Sequence, residues 1–278
     1  MSGTLHIVAV PIGHPDDITV RALRVLRDAT VVAAEDTRTT AALFSHHGIS
    51  ASIQSFHDHN EGQRVPALLR LLAGGARVAL VSEAGTPLVN DPGFRLVRAA
   101  IEAGIQVDVL PGACAAVAAL CGAGLPVDRW LYAGFVPRAS GDRARLADEI
   151  GGLDATLVFY ESPQRLGGTL DWIAGTWPGR AVCVARNITR QHEQWLRGTA
   201  TEVRAALGDE TRGEVVLLLA PPERAPLAPD AGALVEQLLE RGLDPRSVRD
   251  AVAEATGLSR REAYRVVLGA LGRTGESS

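Results

Sequence analysis

Along most of the chain, short β-branched apolar runs alternate with longer stretches in which apolar positions recur every three or four residues. The runs at 5–10 (LHIVAV), 31–34 (VVAA), 78–81 (VALV) and 105–110 (IQVDVL) are too short for helices and predict strands. Between them, residues 17–28, with Thr19 near their start, and residues 64–73 carry the helical period. Residues 94–103 read as an amphipathic helix closed by Gly104. A second set of runs at 131–135, 156–160, 182–185 and 214–220 predicts further strands. Strand and helix patterns in alternation predict an α/β fold class with a largely parallel sheet under covering helices. Shifts in the pattern divide the chain into an N-terminal α/β domain over 1–113, a second α/β domain over 114–220, a proline-rich linker over 221–229 and a small helical extension over 230–273. In the extension, 231–241 and 247–271 read as helices, the second broken at Gly257-Leu258-Ser259.

Two turns follow neighbouring strands. Residues 82–87 (SEAGTP) are too small and kinked to prolong the strand before them, so they predict a loop with exposed backbone. Asp91-Pro92-Gly93 stands where the next helix should begin, and Asp91 is expected to accept a hydrogen bond from an orphan amide of its first turn. Residues 111–115 (PGACA) use only small side chains, which lets a ligand approach the backbone closely. Turns of this kind at the carboxyl ends of adjacent parallel strands make a ligand crevice. Neither is a G-x-G-x-x-G dinucleotide fingerprint, nor a phosphate-binding loop with its lysine.

Composition narrows the chemistry. All 28 basic residues are arginine, which excludes a lysine Schiff base or a lysine general base. The formal charge of −4 argues against a uniformly basic nucleic-acid coat, although charge can be segregated. With 46% apolar and 22% charged residues among 278, the chain has core enough for two domains, and no apolar run is long enough to span a bilayer. Residues 1–13 enter an apolar strand without a basic region and cleavage site, so a cytoplasmic protein without a membrane anchor is expected. Cys114, Cys121 and Cys183 lack metal-ligand spacing and are read as reduced thiols. His57 and His59 around Asp58 are read as polar loop residues or RNA contacts, and no metal is expected.

Taken in order, Pro11-Ile12-Gly13, Glu35-Asp36-Thr37-Arg38, Ala84-Gly85-Thr86-Pro87 with Asp91-Pro92-Gly93, Pro111-Gly112, Phe159-Tyr160-Glu161-Ser162-Pro163 with Arg165, and His192-Glu193 with Arg197-Gly198 resemble the ribosomal small-subunit RNA methyltransferase I family. That family sits within the tetrapyrrole-methylase class, and the resemblance runs over nearly the whole chain. It implies a two-domain homodimer with a tetrapyrrole-methylase-like fold that binds S-adenosyl-L-methionine in the interdomain cleft. It further implies methylation of the ribose 2′-hydroxyl of a cytidine in the decoding centre of small-subunit (16S) ribosomal RNA, as RNA or as a ribosomal particle. Carried over by motif, Ile12, Ser82, Glu83, Ala84, Gly85, Val89, Pro111, Gly112 and Ala113 line the cofactor. His14, Arg138, Arg165, His192 and Glu193 are the candidates for holding the acceptor. The chain departs from the family pattern at His14, Glu83, Asn90, Ala113-Cys114, Ala139, Gln164 and Asn187. Two other readings therefore stay open: a divergent paralogue that methylates a free nucleoside or another small acceptor, and a catalytically silent RNA-binding or assembly protein.

A ribose hydroxyl is a poor nucleophile near neutral pH, so a proton acceptor beside it is expected. Glu35, Asp36, Glu161 and Glu193 are the candidates. Asp36 is favoured because it follows a short strand and is coupled to Arg38, which could hold a phosphate; in the alternative, Asp36 caps the following helix and Arg38 pairs with it. Glu161 and Arg165, four apart, are either an ion pair at a helix start or substrate contacts. His192 and Glu193 sit either at the acceptor pocket or at a strand edge or dimer contact. From Asp244 to Arg273, arginines at 246, 249, 260, 261, 265 and 273 outnumber acids at 244, 250, 254 and 262 in a helix-turn-helix rhythm. This segment is either a phosphate-contacting module or a helical hairpin packed on the core or on a partner subunit.

Overall fold

Two sheets dominate the larger of two units, Met1–Pro222 and Glu223–Ser278, in a computed structural model that describes residues 3–208, 212–223 and 230–274. Residues 224–229, most of the expected linker, lie outside the described residues, as does the Arg273 side chain. The first sheet grows from β1 (Thr4–Val8), α1 (Val20–Asp28), β2 (Val31–Ala34), α2 (Thr37–His47), β3 (Ile53–Ser55), α3 (Glu61–Ala73), β4 (Arg77–Val81), α4 (Phe94–Glu102) and β5 (Gln106–Leu110). Its strands run in the order β3-β2-β4-β1-β5, every pair parallel. A parallel sheet covered on both faces needs strands that are apolar on both sides. Leu5, Val31, Val78 and Leu80 pack with Leu68, Leu72 and Leu96 of α3 and α4 on one face. Val8, Val32, Ala79 and Val81 meet Leu26 of α1 and Phe44 of α2 on the other. Each fully buried leucine of this set contributes roughly 1.5–3 kcal/mol.

The boundaries differ from the sequence pattern for local reasons. Thr19 accepts a hydrogen bond from the Ala22 amide, so α1 begins at Val20 rather than at Asp17. β1 ends at Val8 because Val10 turns away to exchange backbone hydrogen bonds with Gly85. Asp91 does not cap α4: the cap position is Gly93, with no side-chain hydrogen bond to the helix. Helix α2 occupies a segment rich in threonine and histidine, where apolar periodicity is weak.

The second half of the unit comprises α5 (Ala115–Ala123), β6 (Trp130–Phe135), α6 (Ser140–Ile150), β7 (Thr156–Glu161), α7 (Pro163–Thr176), β8 (Ala181–Arg186), β9 (Gln194–Thr199), α8 (Ala200–Ala206) and β10 (Val215–Leu219). The sheet order is β6-β7-β10-β8-β9, with β6–β7 parallel and the remaining pairs antiparallel. Central β10 is buried along its whole length. In the smaller unit, α9 (Ala231–Glu240), α10 (Pro245–Thr256) and α11 (Arg260–Thr274) enclose Val235, Val248, Val252, Ala263 and Val267. Asp244 caps α10, Gly257 (φ 72°) closes it, and Ser259 and Glu262 cap α11 reciprocally. No helix among the described residues is long and apolar enough to cross a membrane.

Candidate functional site

The loops that follow β1, β4 and β5 meet because β1 lies between the other two strands. The Val10–Gly85 backbone pair joins the first two loops, and Thr86 Oγ1 donates to the Ala113 carbonyl at 2.8 Å to join the third. Gly85 has φ +79°, and a Cβ there would lie 3.2 Å from Ile12 Cγ2, so glycine is favoured on both counts. Leu88 and Asn90 also sit at positive φ (72° and 71°), a conformation that costs energy in side-chain-bearing residues. These loops and the facing ends of β7, β8 and β10 enclose a cavity of about 450 Å³.

Of the residues carried over for the cofactor, Ile12, Glu83, Ala84, Gly85 and Val89 line this cavity. Ser82 does not; its hydroxyl is buried under the loop, 3.1 Å from the Gly85 carbonyl. Pro111, Gly112 and Ala113 do not line it either, whereas the next two residues, Cys114 and Ala115, do. Gly112 is small for packing: a Cβ there would lie 2.6 Å from Ala9 Cβ.

The carboxylates separate sharply. Glu35, Glu83, Asp91, Glu161 and Glu214 all line the cavity. Burial pushes Asp91 up to about 7, reinforced by the neighbouring Glu35 charge and opposed by a hydrogen bond from Ser82. Burial also raises Glu35, whose Oε2 accepts from the Glu83 amide at 3.2 Å, and raises Glu214 against the pull of Arg190. Asp36 is elsewhere. Its side chain accepts from Arg38 Nη2 (3.0 Å) and from the amides of Arg38 (2.7 Å) and Thr39 (3.2 Å), capping α2, and these bonds hold it at about 2. The capping alternative is thus the arrangement observed for Asp36 and Arg38, and neither lines the cavity.

Glu161 is the structural member of its pair. Although it is on the cavity wall, its side chain is fully buried and accepts from Thr169 Oγ1 (2.7 Å), the Ser162 amide (2.7 Å) and Arg165 Nη2 (3.2 Å), so its oxygens are engaged by the fold. Arg165 also donates to the Val136 carbonyl. Its guanidinium is a bolt between β7, α7 and the chain after β6.

His192 and Glu193 lie apart from the first cavity, on a second of about 630 Å³ lined also by Arg186, Arg190 and Arg212. Glu193 accepts from Trp195 Nε1 (2.7 Å) and the Thr189 amide (2.7 Å), and these bonds lower its pKa. Arg190 ties this loop to the first sheet, donating to the Ile12 carbonyl at 3.0 Å and pairing with Glu214 at 2.6 Å. The two cavities share Gly213. His14 and Arg138 are exposed and line neither.

Glu214, already placed on the cavity, escaped the sequence reading, and so did the following groups. Tyr160 and Phe135 form an aromatic wall of the cavity, with ring centroids 5.9 Å apart. Tyr132 packs against Tyr160 at 5.0 Å; its hydroxyl is buried without a hydrogen-bond partner among the described residues, and burial beside Asp91 raises it to about 12. Asp91 was visible only as part of Asp-Pro-Gly, whose local meaning is a helix start. Separately, Asp16, His46 and His47 bring potential ligand atoms within 4.8 Å of one another, but His46 and Asp16 already pair at 3.2 Å on an exposed surface.

The cavity fits an adenosyl sulfonium compound in size, in its apolar walls (Ile12, Val89, Ile188, Val216) and in its acidic groups. The sequence profile of the Tetrapyrrole (Corrin/Porphyrin) Methylases matches residues 4–204. The ribosomal RNA small subunit methyltransferase I of Micromonospora olivasterospora is 45% identical over 279 residues, covering 99% of this chain and 89% of that protein. The protein of the same name from Escherichia coli O157:H7 is 48% identical over 221 residues, 78% of this chain and 77% of that one. Among solved structures, a diphthine synthase superposes with a TM-score of 0.61 at 17% identity, over 78% of this chain and 90% of that one. A uroporphyrin-III C-methyltransferase from Thermus thermophilus complexed with S-adenosyl homocysteine gives 0.56 at 19%, over 78% and 97%. At such identities the solved structures speak to the fold alone.

Proposed function

The chain belongs to the tetrapyrrole (corrin/porphyrin) methylase family, among the ribosomal RNA small subunit methyltransferase I proteins, and from that premise we propose that it transfers a methyl group from S-adenosyl-L-methionine to the ribose 2′-hydroxyl of a cytidine in the decoding centre of small-subunit ribosomal RNA. The observation that carries this reading is the set of acidic side chains on the cavity, Glu35, Glu83, Asp91 and Glu214 together with the internally bonded Glu161, among otherwise largely apolar walls. Bound there, the cofactor supplies an activated methyl group on a sulfonium cation. Carboxylates in a partly desolvated wall favour that cation over the neutral thioether left after transfer, because Coulomb attraction grows as the local dielectric falls. Ile12, Val89, Ile188 and Val216 would hold the cofactor's adenine by apolar contact.

The proton of the attacking hydroxyl goes to a carboxylate. Asp91 suits the task because, ionising at about 7, it is both substantially deprotonated and appreciably basic at neutral pH. Glu35, raised by burial and coupled to Asp91, is its partner in the pair. Asp36, held at about 2, is a far weaker base. On the acceptor side, Arg186, Arg190 and Arg212 line the neighbouring cavity; Arg186 is buried on the Arg212 carbonyl and Arg190 pairs with Glu214, so the rim carries positive charge that is partly engaged within the fold. His192 and Glu193 belong to that rim. A homodimer is supported by apolar side chains open to solvent in the single chain, among them Phe94 (67% exposed) and Ile101 (62%) on α4. A ribosomal substrate puts the protein in the cytoplasm.

The test is methyl transfer from labelled S-adenosylmethionine to small subunits lacking the modification, with free cytidine in a parallel reaction. Label in the subunit RNA is the expected result. Label on cytidine alone would reassign the protein to a small acceptor, and cofactor binding without transfer to either would make it a silent binder.

A further inference from the structure

Helix α11 divides into two faces. Ala263, Val267 and Ala270 fill the core of the smaller unit together with Val248 and Val252 of α10. On the other side Arg261, Tyr264, Arg265 and Leu268, spaced i, i+3, i+4, i+7, form one continuous stripe, and all four are exposed, Tyr264 at 46% and Leu268 at 49%. Packing within the unit gives no reason to hold a tyrosine and a leucine in water beside two guanidinium groups.

Two neighbouring arginines are committed locally: Arg249 and Arg260 both pair with Asp250, at 2.7 and 3.4 Å. Glu262 accepts from the Ser259 amide and hydroxyl at 3.0 and 2.6 Å as part of the cap, and attracts Arg265 without forming an ion pair with it. Among the described residues no ion pair engages Arg261 or Arg265. Two available cations flanking an aromatic ring match a phosphodiester backbone, with guanidinium groups on phosphate oxygens and the ring stacked on a sugar or base. Tyrosine and arginine also favour protein interfaces; two like charges four residues apart with no acid between them on the stripe favour a polyanion. A chain of net charge −4 cannot hold RNA through its average field and needs such a segregated patch.

We propose that α10 and α11 form an RNA-docking module in which Arg261, Tyr264 and Arg265 grip the phosphodiester backbone of structured RNA. The choice of ribosomal RNA as the target rests on the function proposed above; the charge and stacking chemistry does not. The turn at Gly257-Leu258-Ser259 fixes α11 against α10 and so presents the stripe as a rigid edge.

The experiment uses the full chain. Wild type, Arg261→Ala/Arg265→Ala, Arg261→Lys/Arg265→Lys and Tyr264→Ala are titrated against a fluorescent stem-loop of small-subunit RNA over a range of salt, and KM for small subunits is measured alongside. The double alanine variant is expected to lose roughly tenfold in RNA affinity, to flatten the slope of log affinity against log salt by about 2, and to raise KM in proportion. The double lysine variant should keep most of the slope, and S-adenosylmethionine affinity should hold in all four proteins, which reports an intact fold. Unchanged RNA affinity and slope in the double alanine variant would overturn the proposal. So would a change in sedimenting mass instead, since the stripe would then be a contact between protein chains. Wild type that methylates subunits while the double variant keeps its KM leaves the substrate reading intact and removes the docking module. Wild type that binds RNA through this stripe but methylates none does the reverse.

Discussion

Replacing Asp91 by Asn keeps the shape of the side chain and removes its proton chemistry, and the consequences for stability and turnover run in opposite directions. Burial raises the Asp91 carboxyl from 3.8 to about 7. Below about pH 4 the group is protonated in both folded and unfolded chains and costs nothing. As pH rises toward about 7 the unfolded chain releases the proton while the folded chain holds it, so native stability falls over that window and levels off above it. At 1.36 kcal/mol for each tenfold change in proton binding, the full penalty above pH 7 has a ceiling of ~4 kcal/mol. Asp91 is only partly buried, and solvent screening brings the figure to ~1–2 kcal/mol.

Asp91→Asn should therefore be ~1–2 kcal/mol more stable than wild type at pH 8, with the gain shrinking to nothing near pH 4. Urea unfolding of both proteins at pH 4, 6 and 8 reads this directly. The same variant should lose roughly 10²–10⁴ in turnover, and the rise of wild-type activity around neutral pH should vanish with it. A variant that is no more stable at pH 8 would refute the burial argument, and one that keeps full turnover would remove Asp91 from proton acceptance. A protein that gains stability by losing its chemistry is expected where a site is held in an unfavourable electrostatic state for function.

The other expectations concern residues around the site. Asp36→Ala should lose the cap of α2 and melt earlier, yet keep turnover within about threefold, against the 10²–10⁴ that removal of a positioned proton acceptor costs; a loss in the latter range would restore Asp36 to the chemistry. Arg165→Met leaves the fully buried Glu161 without its cation and should cost ~2–4 kcal/mol in chemical denaturation, mostly recovered by adding Glu161→Leu, whereas an undiminished midpoint in the single variant would contradict the pairing. Gly112→Ala would press a Cβ to 2.6 Å of Ala9 Cβ and should destabilise by ~1–3 kcal/mol, measured by thermal melting.

How far the site could be read from the residues depends on how local each signal is. Ala84 and Gly85 fall in a turn whose small residues read as an exposed loop, and the structure sets both on the cavity wall with Gly85 at φ +79°; Ile12, on the same wall, enters only through the motif resemblance. The Glu161–Arg165 pair was legible from its i, i+4 spacing, though only the structure distinguished bolt from substrate contact. Asp91 was misread because Asp-Pro-Gly is locally a helix start; its environment is made by Glu35 after β2 and by Tyr132 on β6, residues remote in sequence. Gly112 carried a small-residue signal whose cause is packing on β1 rather than ligand approach. β9 has no apolar run because it pairs only with β8 at the edge of its sheet, where half of its surface need not be buried.

The most direct test of a 2′-O-methyl transfer at this cleft is alkaline hydrolysis of small-subunit RNA labelled by the protein from S-adenosylmethionine. A ribose methylated at its 2′-oxygen cannot form the cyclic phosphate through which alkali cleaves, so the label should emerge in an alkali-stable dinucleotide whose first residue is cytidine. Label released in mononucleotides would place the methyl group on a base, and its absence from the RNA altogether would contradict the account.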